Sequence, residues 1–372
     1  MANERLKRMF DQVRPSPERE EAMLAELLRE EEREVRPMRR DWKRTAVLAL
    51  IAAALLAAAA LAVATVLDPA FLEHFGAGPK DEPLLGKTAV DVNLTAEPID
   101  ILIEKAAGEY LPYHTTEADG TVFIRQVVAD RYSARILLDF TAPEGTVLDG
   151  DYYFFTSTYN LRGEKDSDMY FFNWSTHWEL VEDGDPADNR ITLMLTILAS
   201  GGEALTGKRL VMSLRDLFTA ESEEAVWNNQ ATKVLDGGWG CVFALPEENP
   251  GVYCPMERTI EIGGQELTLE SIYYSPISLV FDLTQRDVTK RDSLAAAKLP
   301  PETWEQDAVL HAGWRERIHM VEKSCPDISA VGMPYQNSRG SVYVHFYYRP
   351  ERIINPAEIK AVEFFGQTID LK

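Results

Sequence analysis

Cysteine is nearly absent, with Cys241, Cys254 and Cys325 the only three in 372 residues. So sparse and odd a set excludes the disulfide framework that staples small secreted domains. One bridge, Cys241–Cys254, is open to the chain because both can flank a hairpin, and buried or free thiols are the alternative. Histidine is thin as well. His74, His114, His177, His311, His319 and His345 show neither H-x-x-x-H nor H-E-x-x-H spacing, and zinc needs three or four convergent nitrogen or sulfur ligands. His311 and His319, with Trp314 between them, read as packing or surface residues. No G-x-S-x-G, phosphate loop, G-x-G-x-x-G or S-x-x-K occurs. The expectation is a protein without catalytic residues, metal or cofactor, hence not an enzyme.

Basic charge is also missing where most of the chain lies. The net charge is −22, yet residues 1–44 are balanced, with 12 Lys/Arg against 11 Asp/Glu. The 305 residues after Leu67 hold 26 basic and 49 acidic groups, a net of −23. Such a surface repels phosphate backbones, so direct nucleic-acid binding is not expected.

Long apolar runs are absent too, except for one. Thr45–Leu67 reads TAVLALIAAALLAAAALAVATVL, 23 residues without a charge, Gly or Pro. As a helix it would be about 35 Å long, enough for a hydrocarbon core of about 30 Å. Arg36, Arg39, Arg40, Trp42, Lys43 and Arg44 precede it, and Asp68 and Pro69 follow. The positive-inside rule puts the N-terminus in the cytoplasm and the rest outside. A cleaved signal peptide fits less well, because a 44-residue charged lead-in far exceeds a signal n-region.

Before the span, Leu6, Met9, Phe10 and Val13 share one helical face. Pro15-Ser16-Pro17 interrupts, and Ser16 can cap a second helix with Pro17 in its first turn. Met23, Leu24, Leu27 and Leu28 form that helix's apolar stripe. Two such helices bury no core alone. They dock on a partner, lie along the membrane, or form a loosely ordered tail, and balanced charge argues against the membrane surface.

After the span, residues 68–88 read as a Pro/Gly stalk and the texture then turns to short β runs. Thr121–Val128 and Ser133–Phe140 read as a hairpin. Tyr170, Phe172, Trp174, Trp178 and Leu180 alternate with polar residues. So do Ile191, Leu193, Leu195 and Ile197, then Leu210, Met212 and Leu214, as in an antiparallel sheet with one buried face. Residues 219–238 break the pattern and have room for a short helix. Thr259–Ile262 and Leu267–Ile272 flank Gly263-Gly264, a hairpin signal. Ile277, Leu279, Phe281 and Leu283 alternate, as do Val342, Val344, Phe346 and Tyr348, and a last pair of strands turns at Gly366-Gln367. Short helices fit Ser293–Lys298 and Pro301–Asp307. The expected architecture is a mainly β ectodomain of two sandwiches, 89–236 and 237–372, behind cytoplasmic helices (1–44), one transmembrane helix (45–67) and a stalk (68–88).

Two clusters invite a ligand. The acidic run Glu182–Asn189 resembles a cation loop in composition but lies between two strands, where a polar hairpin loop is the plainer reading. Tyr152, Tyr153, Phe154, Phe155, Tyr170, Phe171, Phe172, Trp174 and Trp178 could line a carbohydrate or peptide groove, or fill a sandwich core.

Several stretches carry a resemblance. LKRMFDQVRPSPEREEAML (Leu6–Leu24), RRDWKR (Arg39–Arg44) with the alanine-rich span, and LDPAFLEHFG (Leu67–Gly76) are similar to the cytoplasmic helix pair and membrane passage of a bacterial family. DGTVFIRQVVADRYSARILLDFTAPEG (Asp119–Gly145), IEIGGQELTLESIYYSPISLVFDL (Ile260–Leu283) and AEIKAVEFFGQTIDL (Ala357–Leu371) are similar to that family's ectodomain. The chain resembles single-pass anti-sigma factors with an immunoglobulin-like ectodomain of unknown function. The resemblance implies two immunoglobulin-like sandwiches and a cytoplasmic partner, an extracytoplasmic-function sigma factor, held on Leu6, Met9, Phe10, Val13, Met23, Leu24, Leu27 and Leu28. It also implies an envelope ligand outside. Zinc-binding anti-sigma domains use a His and paired cysteines, and residues 1–73 contain neither. The alternative is an envelope structural or adhesion protein that binds a wall polymer or peptide.

Overall fold

The structure, a computed structural model, describes residues 67–99, 102–104, 110–112, 118–163, 169–170, 173–181, 188–200, 204–289, 307–312, 316–323, 327–331 and 339–371. The expected cytoplasmic helices, the flanking Arg39, Arg40, Trp42, Lys43 and Arg44, and the span up to residue 66 lie outside these, as do the helix expected at 293–298 and, apart from Asp307, the one expected at 301–307. Among the described residues no helix is long and apolar enough to cross a membrane.

The described chain begins with helices α1 (Pro69–His74) and α2 (Glu82–Leu85). The strands that follow are β1 (Ala89–Thr95), β2 (Glu97–Pro98), β3 (Leu102–Glu104), β4 (Tyr110–Pro112), β5 (Thr121–Ala129) and β6 (Ser133–Thr141). Next come β7 (Tyr152–Arg162), β8 (Met169–Tyr170), β9 (Asn173–Leu180), β10 (Arg190–Ser200), β11 (Arg209–Ala220), helix α3 (Glu223–Trp227) and β12 (Thr232–Ala244). One sheet runs β1-β5-β6-β10-β9 and a second runs β2-β12-β11-β7-β8. Their facing side chains form one core. The alternating sets Ile191/Leu193/Leu195/Ile197 and Leu210/Met212/Leu214 are all in it. At its centre Phe140, Phe155 and Trp239 meet edge-to-face with ring centroids 5.5–5.6 Å apart. The Trp239 indole N–H donates to the Gly120 carbonyl at 3.2 Å, so the buried ring leaves no polar atom unpaired. Gly120 itself has φ +101°, and a Cβ there would collide with the Thr141 carbonyl oxygen.

The second half supplies β13 (Val252–Ile262), β14 (Gln265–Tyr274), β15 (Leu279–Thr289), β16 (Ala308–Ala312) and β17 (Glu316–Ile318). It ends with β18 (Met320–Lys323), β19 (Asp327–Val331), β20 (Arg339–Pro350), β21 (Ile359–Phe364) and β22 (Gln367–Asp370). The sheets here are β13-β14-β15-β20-β18, with β19 also on β20, and β17-β16-β21-β22. Phe281 stacks on Phe364 at 3.8 Å within their shared core. Both Gly-centred hairpins form as expected, Ile262 pairing with Gln265 and Phe364 with Gln367. The described residues are thus mostly β, in sheets packed as sandwiches.

Two expected boundaries move. Strand β12 runs straight through 236/237 and pairs with β11 from Arg209–Ala244 to Thr219–Thr232. Cys241, Phe243 and Leu245 belong to the first core, so the join lies between Leu245 and Val252. The glycines at 237 and 238 read as a break, but they sit inside a strand: a Cβ at Gly237 would meet the Trp239 ring. The segment expected as a stalk is folded onto the first sandwich. Asp68 caps α1 by accepting from Ala70 N at 3.0 Å, with Pro69 in the first turn. Leu67, Phe71, Phe75 and Leu85 are buried with Ala89, Val128, Leu137 and Met194, on the sheet face opposite the core, and with Ile277 and Ile353 of the second sandwich. Covered on both faces, β5 and β6 are buried along most of their length, the polar Gln126, Ser133 and Arg135 included, instead of alternating cleanly.

A polar joint ties the sandwiches together. In the β5–β6 turn Asp130 accepts from Tyr132 N, Ser133 N and Ser133 Oγ with one carboxylate oxygen, and from Ser275 Oγ and Ser278 Oγ with the other. Tyr132 donates its hydroxyl to Asp282 at 2.8 Å, and Asp282 also bonds His345 Nδ1 at 2.7 Å. Tyr132, Tyr273, Val280 and Tyr347 fill the space between. Arg135, fully buried, donates to Thr196 Oγ1 and to Tyr347 Oη.

Candidate functional site

The aromatic run divides between two environments. Tyr153, Phe155 and Trp178 are buried in the first core. Tyr152, Phe154 and Trp174 line a groove of about 250 Å³ at the sandwich edge, where β7 and β9 approach and α3 closes one side. The remaining walls are Phe155, Thr156, Ser157, Thr176, Trp178, Glu223, Val226 and Trp227. The side chains of Tyr170, Phe171 and Phe172 fall outside the described residues. Trp174 and Trp178 were expected on one face of a single strand. Trp178 is in the core, but Trp174 is 37% exposed.

Local sequence explains the shape. Ser222 caps α3 by accepting from Ala225 N at 3.3 Å, and Glu223 and Glu224 occupy its first turn. Ala225 is the helix's buried residue, so the next two side chains, Val226 and Trp227, are left for the groove. Trp227 is 78% exposed. Phe154 is held from behind by stacking on Phe218 at 5.3 Å, and Trp174 by an edge contact with Tyr159 at 4.9 Å. The ring walls are therefore supported, except Trp227, which only its short helix positions.

One charged side chain lies among these walls. Glu223 Oε2 is 2.8 Å from His177 Nδ1. Both are well exposed, so water weakens the pair. Burial, with the Glu223 carboxylate adding to it and a backbone bond to Trp178 opposing, pushes the Tyr152 phenol up to about 12. It stays neutral and presents an uncharged ring at physiological pH. The arrangement can hold a flat or cationic group between rings. No group of three or more His, Cys, Asp or Glu among the described residues is placed to hold a metal.

Other sequence candidates are placed plainly. The docking residues Leu6, Met9, Phe10, Val13, Met23, Leu24, Leu27 and Leu28 lie outside the described residues, as does 182–187 of the acidic run. Asp188 from that run accepts from Arg190 N at 2.6 Å, a turn bond. Cys241 and Cys254 are both free thiols, one in each sandwich, so the bridge alternative falls. Burial pushes the Cys241 thiol up to about 12, which leaves it inert. Sequence reasoning missed Glu223, Val226 and Trp227. The Ser-Glu-Glu cap before an isolated Trp was the available signal.

No protein-family description matches the chain, and no curated protein matches it. Among solved structures it is similar to the crystal structure of a conserved domain protein from Bacillus anthracis. The identity is 11%, the TM-score 0.42, and the match covers 74% of this chain and 75% of that one.

Proposed function

We propose that the protein is a membrane-anchored regulator whose β ectodomain, built of immunoglobulin-like sandwiches, binds an envelope ligand in the groove beside Trp174 and Trp227. The observation that carries the outer half of this reading is Trp227, 78% exposed on a capped helix facing supported rings. A large apolar ring costs free energy to expose and offers little to the fold there, whereas it suits a binding surface. The inner half rests on the sequence: the Thr45–Leu67 anchor, the Arg39–Arg44 basic flank and the apolar stripes ahead of them.

The cytoplasmic partner in this reading is an extracytoplasmic-function sigma factor. The test is capture of that sigma factor by the full-length protein, against a variant carrying Leu24→Asp and Leu27→Asp. Loss of capture in the variant is the expected result; unchanged capture would sink the docking face. The groove also favours a second reading, an envelope adhesion protein. That reading expects deletion of residues 2–35 to leave ligand binding and every cellular function intact.

A further inference from the structure

We propose that the groove receives a cationic side chain, a lysine or arginine of an extended basic peptide. This rests on the groove being the ectodomain's ligand site. Tyr152, Phe154, Trp174, Trp178 and Trp227 supply ring surfaces on several sides, and the face of an aromatic ring attracts a cation. The only charged residue among the described walls is Glu223, and none is Lys or Arg. Arg215, opposite Thr156 on the neighbouring strand, has a partner of its own. Around this lies an outer chain of net charge −23, which steers cations in and turns anionic polymers away.

Size and edge geometry select a peptide over a free small molecule. About 250 Å³ is less than the roughly 300–1,000 Å³ of a drug-sized pocket, so it takes one side chain of something longer. Strand β9, which contributes three of the groove's walls, ends its sheet among the described residues. A strand edge can hold an extended backbone by main-chain hydrogen bonds while an adjacent pocket reads a side chain. A neutral glycan would also stack on the rings and bond Thr156, Ser157 and Thr176, but it would make no use of Glu223.

The experiment titrates the full-length protein in detergent micelles with three probes: a labelled ten-residue peptide of alternating Lys and Thr, the same peptide with every lysine acetylated, and chitohexaose. The proteins are the parent, Trp227→Ala, Glu223→Gln, and a control with Glu247→Gln and Glu248→Gln in the loop that follows β12. The lysine peptide is expected to bind. Acetylation, Trp227→Ala and Glu223→Gln should each weaken it at least tenfold, and the control should not. Equal weakening in the control would make the binding a general surface-charge effect and overturn the proposal. Chitohexaose binding that needs Trp227 but not Glu223 would also overturn it, while leaving the groove as the ligand site. If no probe's binding depends on Trp227, both the proposal and the groove reading fail.

Discussion

The joint between the sandwiches and the groove at the edge of the first use similar residues in opposite ways. Both gather tyrosines or tryptophans around a carboxylate. At the joint Asp130 is fully buried and accepts five hydrogen bonds, and the rings around it are closed in by the second sandwich. In the groove Glu223 has one partner in water's reach and Trp227 is left uncovered. A satisfied polar network in a low-dielectric interior is costly to disturb, because every donor it loses stays buried. An exposed ring with few contacts is cheap to remove. The joint therefore answers for stability, and the groove is the place of the recognition proposed above.

The largest effect should come from Asp130→Ala, which leaves the Ser275 and Ser278 hydroxyls and two backbone N–H groups without their acceptor. A loss of about 3–4 kcal/mol is expected, read as the shift in a denaturant midpoint. A shift below about 1 kcal/mol would show that the joint is not the stabilising element it resembles.

Acid should weaken the joint next. Burial raises the Asp282 pKa, but hydrogen bonds from His345, Ser271 and Tyr132, with the charge on His345, outweigh it and hold the carboxyl below its usual 3.8. A depressed folded pKa means the unfolded chain binds the proton more readily. The contribution is then fully present above the ordinary carboxylate pKa and is lost as pH falls through the folded value. Asp282→Asn should cost about 1–2 kcal/mol at neutral pH and flatten the acid side of a melting-temperature profile. A variant whose acid limb matches the parent's would assign the acid sensitivity to other carboxylates.

The smallest stability effect belongs to the groove. Trp227→Ala should change the denaturant midpoint by less than about 0.5 kcal/mol while weakening the binding of the lysine peptide at least tenfold. A large stability loss would erase the contrast and make Trp227 a structural residue.

How much of this was visible beforehand differs by element. The Gly263-Gly264 and Gly366-Gln367 hairpins and the alternating strands of both cores were legible, because turn chemistry and a period of two are local properties. The register of β12 was not. Its Gly237-Gly238 pair mimics a turn, and only the Trp239 ring packed against it explains why glycine stands inside a strand. The docked helices at Pro69–His74 and Glu82–Leu85 left a readable Asp-Pro cap, but their burial depends on a sheet face that the second sandwich also covers. Half of the groove was in view as an aromatic run on β7 and β9. Its other wall comes from α3, some 50 residues further along the chain from Trp174.

By itself, the sequence determined a charge-free apolar span behind a basic flank, an acidic β-rich chain beyond it, and the absence of recognised catalytic motifs. These follow from composition and short-range pattern, which the chain carries before it folds. Tertiary structure alone decided which aromatics are core and which are exposed. It also decided that the sandwiches meet through Asp130 and Asp282 rather than a free linker, and that Glu223 stands among rings. Each depends on contacts between residues tens to hundreds of positions apart, and those distances are set by packing, not by spacing along the chain.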